Sequence, residues 1–377
     1  MHSAPARSWV EISRSQLAAN FRAVRDLVGP EVTIMPVVKA DAYRHGAVEV
    51  ARVLASEGAR WLAVSNVEEA VTLRAAGIRA RILVMADFLP AARTAFFEYQ
   101  LTPVLHSLED LRTLNQLAAR RGQPMAYHLK IDTGMGRLGT RAHAEEICAA
   151  ILSAPAIQLE GLMTHFASVT DFGSSQTERQ IQAFERIRQA LQAGGLRPPW
   201  VHMASTGAIA YGRRDTWQNM VRPGHAIYGY VSPARGPAPP CLLQVKPALI
   251  WKASVLAVKQ VEEGALIGYG GMFRAPQPMR IAVLAVGYAD GLPHRLSNRG
   301  QVIIQNRRTR ILGAVSMDLT TVDATEFPHL QPGDPVTLLG PAADGWLDAQ
   351  EIARLAGTIS YSVLCGISSR VKRLYVP

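Results

Sequence analysis

Side chains that can transfer protons or hold a charged ligand stand where short apolar runs of the sequence end. These residues are Lys39, Lys130 with Asp132, His165, Ser205 and Arg222. Lys39 ends the run "TIMPVVK", and a lysine is almost never fully buried without a partner. Taken alone, this lysine is better explained as an ordinary surface residue at a strand end. Five apolar runs that each end in a polar or charged residue together favour a functional site. In such a site the Lys39 amine is a candidate nucleophile.

Two of these runs lead into segments of small residues. "HMASTGA" contains Ser205, and "RPGHAIYG" contains Gly224. Small residues let backbone N–H groups approach an anion, and barrel enzymes often hold a phosphate at the loops after the last two strands. An amine nucleophile beside a phosphate site indicates a phosphorylated carbonyl cofactor. Pyridoxal 5′-phosphate fits, because its aldehyde forms a Schiff base with a lysine.

The elements that would position these residues alternate in type through the first two-thirds of the chain. Eight strand-like runs, from "TIMPVVK" to "NMVRPGHAIYG", are separated by stretches such as "NVEEAVTLRAAG" with apolar residues at helical spacing. This alternation predicts an α/β fold with a (β/α)8 TIM-type barrel, whose strand ends carry the functional side chains. A doubly wound sheet is the alternative, and the lack of a G-x-G-x-x-G segment after the first strand disfavours it.

A proline-rich connector, "VSPARGPAPP" at residues 231–240, ends this pattern. Closely spaced strand-like runs follow, interrupted by one helical pattern, "DAQEIARLAG", and predict a mostly antiparallel β domain. The early run "SWVEIS" is predicted to pair with that domain. We therefore expect an N-terminal strand segment at 1–12, the barrel at 13–235 and the β domain at 236–377.

Composition excludes several function classes. The 377 residues carry a net charge of +10, but the arginines are dispersed and no basic run is interleaved with aromatics, which disfavours nucleic-acid binding. No apolar run reaches the roughly 18 residues of a membrane span. The N-terminus lacks the pattern of a signal peptide, and the three cysteines suggest neither disulfides nor a metal cluster. We expect a cytoplasmic enzyme without metal or membrane partner.

Eight motifs in order give the sequence a recognisable family resemblance. They are "VVKADAYRHG", "LKIDTGMGRLG", "MTHFAS", "NMVRPGHAIYG", "IGYGGMF", "VGYADG", "VSMD" and "TISY". In these motifs the sequence resembles the alanine racemases, fold-type III pyridoxal-phosphate enzymes, over nearly its whole length. The resemblance implies a homodimer whose active sites each pair one subunit's barrel with the other's β domain.

The resemblance also implies two acid–base groups. Lys39 is similar to the Schiff-base lysine, and Tyr269 to a second base that the partner subunit supplies; without the flanking glycines, Tyr269 would read as an ordinary strand tyrosine. A phenol has a pKa of about 10 and needs nearby cations to act as a base. The family places His165 and Arg222 in a hydrogen-bonded chain that reaches this tyrosine, with Arg222 facing the pyridine nitrogen.

Further roles come from the same resemblance. For the cofactor phosphate it implies Tyr43, Ser205, Tyr361, Gly224 and His225. Arg137 resembles the residue that meets the substrate carboxylate. Met317 is expected to add a backbone N–H from the partner subunit unless it is a core methionine, and Tyr288 resembles an entrance residue.

Lys130 matches a lysine that many family members carry in carbamylated form. Two departures stand out: Arg44 replaces a usual glycine, and Ser316 replaces a common cysteine.

The predicted function is the interconversion of L-alanine and D-alanine, supplying D-alanine for bacterial cell-wall peptidoglycan. One alternative is a racemase of broader specificity that acts on serine or other small amino acids. A second is a fold-type III decarboxylase, which Arg222 disfavours because those enzymes place an acidic group at the pyridine nitrogen. A third is a non-catalytic cofactor-binding protein, which is typically a barrel alone and would not need the second domain.

Overall fold

The structure, a computed structural model, describes residues 7–377 and forms two compact units. One unit consists of residues 17–42 and 47–246, and the other of residues 7–16, 43–46 and 247–377. The chain enters through strand β1 (Ser8–Ser13) and helix α1 (Arg14–Val28). Residues 1–6 of the predicted N-terminal segment lie outside the described residues, and the predicted domain bounds stay a prediction.

The unit formed by residues 17–42 and 47–246 alternates strands with helices. Its strands are β2 (Thr33–Ile34), β3 (Trp61–Val64), β4 (Arg81–Val84), β5 (Thr102–Leu105), β6 (Met125–Lys130), β7 (Ile157–Met163), β8 (Trp200–His202) and β9 (Met220–Val221). The intervening helices are α2 (Ala47–Ser56), α3 (Val67–Ala75), α4 (Arg93–Glu98), α5 (Leu108–Arg121), α6 (Ala144–Leu152), α7 (Gln176–Ala193) and α8 (Thr206–Ala210).

These strands close into a ring of eight. Strands β3 to β8 form a parallel sheet in chain order, and β2 pairs in parallel with β9. Single bridges from Val37 to Ala63 and from Ser205 to Arg222 join the two groups. The predicted (β/α)8 barrel is confirmed. Strands β2 and β9 are shorter than predicted because Pro36 and Pro223 have no N–H to give to a strand ladder.

Most residues of the barrel strands are buried, as expected for parallel strands covered by helices, although β7 and β8 begin with residues that are not. Every residue of β3 and β5 is buried. Polar side chains fix the helix starts: Asn66 accepts the N–H of Glu69 to begin α3, and Ser107 accepts that of Asp110 to begin α5. These caps satisfy N–H groups that have no partner inside a helix, and so fix where each helix leaves the strand-end loops.

The other unit is a mostly antiparallel β domain, as predicted. Besides β1, its strands are β10 (Leu249–Val261), β11 (Leu266–Ile267), β12 (Phe273–Arg274), β13 (Met279–Leu284), β14 (Gln301–Ile304), β15 (Arg307–Leu312), β16 (Thr320–Asp323), β17 (Pro335–Ala342), β18 (Gly345–Leu347) and β19 (Lys372–Val376). The order in the main sheet is β18-β17-β14-β15-β16-β13-β10-β1-β19, and β1 pairs antiparallel with β10 but parallel with β19.

Two helices interrupt the β domain, where the sequence predicts one. The predicted helix is α9 (Ala349–Ala356), which begins at an Asp348 cap and ends at Gly357 with φ of 64°. The second, α10 (Ser360–Gly366), lacks a side-chain cap and is too short for a clear helical period. The apolar cluster below the β11–β12 hairpin contains Ile267, Ala275, Met279, Ile281 and Leu312. In the described chain, no helix has the length and apolar character to cross a membrane.

Candidate active site

Arg222 directly follows β9 and is 3% exposed. Its Nη1 donates to Nδ1 and the carbonyl oxygen of His202, at 2.7 and 2.8 Å. Its Nη2 donates to the carbonyl oxygens of Thr164 and Met203, at 2.7 and 3.1 Å, and to Nδ1 of His165 at 3.3 Å. Among the described residues, no carboxylate pairs with this guanidinium and no acceptor engages Nε. Burial lowers the pKa of Arg222 to about 9, so it stays cationic at neutral pH.

The protons on two buried histidines follow from this arginine, because a guanidinium only donates. His202 Nδ1 accepts from Arg222, so its proton lies on Nε2, which is 2.8 Å from His128 Nδ1. His128 Nδ1 accepts in turn, and its own Nε2 is 3.7 Å from Oε2 of Glu160. Burial lowers the pKa of both histidines. The pair is therefore neutral, with a direction of hydrogen bonding that Arg222 fixes.

His165 stands at the end of β7 and is half-buried. Burial lowers its pKa well below the ordinary value, and the charges of Arg222 and Lys130 lower it further. Its Nδ1 accepts from Arg222, so its proton lies on Nε2. His165 is therefore a neutral histidine that can donate one hydrogen bond through Nε2.

A group of cations surrounds the end of β6. Lys130 is 5% exposed, and burial, followed by the charges of Arg137 and Arg222, lowers its pKa to about 8. Lys39 also lowers the pKa of Lys130, whereas Asp132 raises it. Four cations and one carboxylate create a positive potential, which favours an anionic ligand.

Asp132 organises the loop that carries Arg137. Its Oδ1 accepts the N–H groups of residues 134–136 at distances between 2.9 and 3.1 Å, and its Oδ2 accepts Nε of Arg141 at 2.7 Å. Burial raises the pKa of Asp132, but these donors lower it more, so the net pKa lies below the ordinary value. The loop is thus held while the Arg137 side chain stays exposed.

The backbone after Lys39 does not continue as a strand. Residues 40–43 all have φ of 53°, and Arg44 has φ of 65°. This left-handed turn contains no glycine, although L-residues adopt that conformation only at a cost. Lys39 itself is half-buried at the start of the turn. Strain of this kind concentrates at functional sites.

Thr206, which was not among the predicted site residues, holds the small-residue segment after β8. Oγ1 of Thr206 accepts the N–H groups of Gly224 and Ala226, each at 3.2 Å. The Gly224 N–H, predicted to bind a phosphate, has Thr206 as its partner here. Ser205 is half-buried just before α8, and His225 is buried with its ring stacked 5.1 Å from that of Tyr230.

Two further predicted phosphate residues lie together in the β-domain unit. The rings of Tyr43 and Tyr361 are 5.9 Å apart. Burial raises the pKa of Tyr43, and the neighbouring Tyr361 and Cys365 raise it further. Tyr43 therefore remains a neutral phenol, which can donate a hydrogen bond to an anion.

Tyr269 is 77% exposed on a tight turn of the β-domain unit. The flanking Gly268 and Gly270 have φ of 76° and 68°, a conformation that glycine adopts without strain. Leu266 and Met272, on either side of the turn, are also exposed. Tyr269 is therefore not a half-buried strand tyrosine.

Met317 and Tyr288 lie on two adjacent exposed loops of the same unit. The N–H of Tyr288 donates to the Ser316 carbonyl oxygen, and that of Ala289 to the Met317 carbonyl oxygen, both at 3.0 Å. The loops approach so closely that a Cβ on Gly287 would lie 2.4 Å from the Met317 oxygen. Met317 is 54% exposed, which excludes the core position considered for it.

In the comparisons with known proteins, both units match domains of the same family. Residues 12–233 match the family model of the alanine racemase N-terminal domain, and residues 248–375 match that of the C-terminal domain. The chain belongs to the alanine racemase family. It is therefore an isomerase of the amino-acid racemase class. In the described part of the chain, no group of three His, Cys, Asp or Glu side chains is arranged to hold a metal ion.

Individual alanine racemases support this assignment. That of Halothermothrix orenii is 40% identical over 98% of this chain and 96% of its own length. The structure of the Streptomyces lavendulae enzyme superposes with a TM-score of 0.91 at 32% identity, covering 100% of this chain and 98% of that one. The Bartonella henselae enzyme, solved with covalently bound pyridoxal phosphate, gives a TM-score of 0.87 at 29% identity, covering 99% and 100%.

Both departures from the alanine racemase pattern have a structural account. Arg44 occupies a left-handed position, which explains why glycine is usual there; its Nε donates to the Cys365 carbonyl oxygen at 3.4 Å, and its own carbonyl oxygen accepts from Arg373 at 3.3 Å. Ser316 Oγ donates to the Leu319 carbonyl oxygen at 2.8 Å and accepts its N–H at 3.1 Å. The left-handed turn is therefore kept with Arg44, and the Ser316 hydroxyl closes the loop in which it lies.

Sequence reasoning missed the histidine pair and Thr206. One signal for the pair was present in the sequence, since Gly161 interrupts the strand run "LEGLM" and a strand glycine often marks a close approach. A Cβ at this position would lie 2.3 Å from His128 Nδ1. Gly161 therefore makes the room that the buried ring occupies.

Proposed function

We propose that this protein interconverts L-alanine and D-alanine with pyridoxal 5′-phosphate as cofactor, through two acid–base groups, Lys39 and Tyr269. We also propose that the D-alanine serves bacterial cell-wall peptidoglycan. The observation that carries the proposal is the setting of Arg222, a buried cation with five neutral acceptors and no carboxylate partner among the described residues. The covalently bound pyridoxal phosphate of the Bartonella henselae relative supports the cofactor assignment.

The residues of the site fit this cofactor. Lys39 offers an amine, the cations around Lys130 suit an anionic ligand, and Nε of Arg222 has no acceptor among the described residues. When bound, pyridoxal phosphate supplies an aldehyde that condenses with an amine and a conjugated ring that stabilises negative charge on the substrate α-carbon. We assign its phosphate to Ser205, His225 and Gly224, whose N–H would exchange its Thr206 partner for the phosphate, together with the hydroxyls of Tyr43 and Tyr361.

Racemisation needs a proton to leave one face of the α-carbon and arrive on the other. In the proposal, the Lys39 amine and the Tyr269 phenol hold that proton on opposite faces. The phenol needs a donor to act as a base near neutral pH, because its ordinary pKa is about 10. His165 carries a proton on Nε2 and is the residue proposed to donate to it.

Arg222 favours racemisation over decarboxylation. It donates only and keeps its proton, so a pyridine nitrogen held beside it would stay unprotonated. Negative charge at the α-carbon is then stabilised less than with an acidic partner, and fast return of the proton is favoured. No acidic side chain among the described residues contacts Arg222 to change this balance.

Arg137 and the backbone N–H of Met317 are assigned to the substrate carboxylate, for which an arginine fork has suitable geometry. Lys130 is proposed to react with CO₂: its amine nitrogen bonds to the carbon, one C=O π pair moves to oxygen as the negative charge of the carbamate, and the amine releases a proton. The lowered pKa of Lys130 favours the unprotonated amine that this reaction needs. The carbamate would place an anion beside Arg137.

We further propose a homodimer in which each site receives Tyr269 and Met317 from the second copy. The support is their exposure, 77% for Tyr269 on its glycine-flanked turn and 54% for Met317 on a loop, rather than burial in a core. An exposed apolar surface of this kind is common at protein–protein interfaces. Leu266 and Met272, also exposed beside Tyr269, extend the same surface.

Chiral chromatography of the purified protein with L-alanine, L-serine and L-lysine tests the proposal. We expect rapid racemisation of alanine after reconstitution with pyridoxal phosphate, and a yellow protein that loses its colour in Lys39→Ala. Equal turnover of serine would indicate the broader racemase. A protein that stays colourless, or that releases CO₂ from an amino acid instead of the enantiomer, would contradict the proposed activity.

A further inference from the structure

Glu69 lies on the first turn of α3, and its carboxylate bridges two backbone segments. Oε1 accepts the N–H of Ala40 at 2.6 Å, and Oε2 accepts the N–H of Ser65 at 2.7 Å. Ala40 follows Lys39, and Ser65 follows the last residue of β3. The N–H of Glu69 is itself capped by the Asn66 side chain at 3.0 Å. The carboxylate is thus attached to a fixed helix start.

The two N–H groups are those that the strand ladder loses at this point. Up to Val38 the chain pairs with β3, since the Ala63 N–H donates to the Pro36 oxygen and the Val38 N–H to the Ala63 oxygen. In a continued parallel ladder, Ser65 would donate to Val38 and Ala40 to Ser65. The Val38 oxygen instead accepts the N–H of Ala42 at 2.9 Å, which begins the left-handed turn. Glu69 replaces both missing acceptors.

The turn that results is strained. Residues 40–44 are five consecutive non-glycine residues with positive φ, between 53° and 65°. Such residues persist only where their surroundings over-determine the backbone. A carboxylate that accepts two N–H groups supplies strong, directional bonds of the kind that can hold this conformation. Asp41 adds a second restraint, because its Oδ1 accepts the Ala47 N–H at 2.7 Å.

We infer that Glu69 is a positioning residue for Lys39: it ends the β2–β3 pairing and fixes the peptide that follows the lysine, and so sets the direction of the Lys39 side chain. Glu69 acts through the backbone and contacts no substrate. The inference relies on the proposed function only for the role of the Lys39 amine. The backbone part stands independently of it.

Glu69→Gln is the test, because it keeps the side-chain size and replaces one of the two acceptor oxygens with an NH₂ donor. Loss of a charged hydrogen bond typically raises local opening about 10- to 100-fold. We expect amide hydrogen exchange at Ala40 and Ser65 of the full-length chain to speed up by that factor. Glu68→Gln is the matched control, since this exposed neighbour carries the same charge and its side chain has no hydrogen bond among the described residues. Equal exchange in both variants would overturn the inference.

A second variant separates positioning of Lys39 from general support of α3. Ala40→Gly removes strain from the turn, because glycine adopts positive φ readily. If Glu69 holds the strained turn, the exchange effect of Glu69→Gln must be clearly smaller in the Ala40→Gly background. An undiminished effect would reduce Glu69 to a helix-start residue and refute the inference.

The Lys39 amine provides the last readout. In the wild type and Glu68→Gln, the pH midpoint of the yellow absorption formed with pyridoxal phosphate should coincide, whereas Glu69→Gln should shift it and lower kcat more than it changes KM. An unshifted midpoint with altered exchange would contradict the positioning of Lys39. A protein that never turns yellow would contradict the proposed function instead, and the exchange comparison would still decide the role of Glu69 in the turn.

Discussion

The interior around Arg222 and the turn that carries Tyr269 are built on opposite principles. Arg222 is 3% exposed and each of its acceptors is fixed by a strand end, whereas Tyr269 is 77% exposed. In the first region, side chains determine one another, down to the proton positions on His202 and His128. In the second, glycine backbone conformations shape the turn, and the phenol is largely exposed. The barrel unit supplies preorganised charge, and the turn leaves Tyr269 exposed, as the proposed contact with a second copy requires.

This contrast predicts different costs of mutation. A change inside the arginine network should lower stability and activity together, because buried groups lose their partners. A change at the exposed turn should lower activity alone, because surface substitutions usually alter stability by no more than about 0.5 kcal/mol.

Arg222→Leu should have the largest effect. It removes the Arg222 donor from five acceptors, and loss of one partner from a buried charged network costs roughly 3–5 kcal/mol of unfolding free energy. Losing a positioned electrostatic donor should also lower kcat by at least about 10²–10³-fold. Urea unfolding and racemisation rates measure the two effects. Arg112→Leu, on an exposed face of α5, is the control and should change stability little. A stable, active Arg222→Leu protein would refute the network.

Tyr269→Phe should lose proton exchange at the α-carbon of L-alanine by about 10²–10⁴-fold, the usual cost of removing a general base. Exchange from D-alanine should fall far less, because the proposal assigns the other face to Lys39. Deuterium incorporation from heavy water measures both rates. Stability should match the wild type, as for Tyr99→Phe at another exposed position. Equal losses for the two enantiomers would make Tyr269 a positioning group instead.

Lys130 should make stability depend on pH. Its folded pKa of about 8 lies below the ordinary 10.5, so the unfolded chain binds more protons between these values and stability rises with pH there. Over this pH range the free energy of unfolding should rise by about 3 kcal/mol in total, and none of this rise is present below pH 8. Urea unfolding in CO₂-free buffer measures it against Lys130→Met, which should lack the rise. Parallel pH profiles for the two proteins would contradict the burial of a charged amine.

Asp132→Ala should have the smallest effect. It releases three backbone N–H groups and Arg141, so the loop that carries Arg137 loosens. Arg137, which we assign to the substrate carboxylate, would then be positioned less well. The KM for alanine should rise about 10-fold, as expected for the loss of one modest binding interaction, with little change in kcat. Steady-state kinetics measure the split. Glu145→Ala, an exposed acidic change on α6, should leave both constants unchanged; a fall in kcat alone for Asp132→Ala would assign it another role.

Much of the architecture could be predicted from the sequence because it depends on local patterns. Alternating strand and helix periods indicate the barrel, and strand-end positions bring Lys130, His165 and Arg222 into one site. Contacts between residues distant in sequence could not be read in this way: His128 and His202 are 74 residues apart, and only Gly161 hinted at their approach. The left-handed turn after Lys39 was also hidden, because its residues are not the glycines that usually mark positive φ.

Mixing two inactive variants tests whether each site combines Lys39 of one chain with Tyr269 of another. Lys39→Ala and Tyr269→Phe proteins are to be combined under subunit exchange, with mass spectrometry to quantify heterodimers. In a symmetric dimer, one heterodimer site carries both defects and the other carries none, so recovery of about half the wild-type activity per heterodimer is expected. No recovery despite complete exchange would place both groups in one chain and contradict the account.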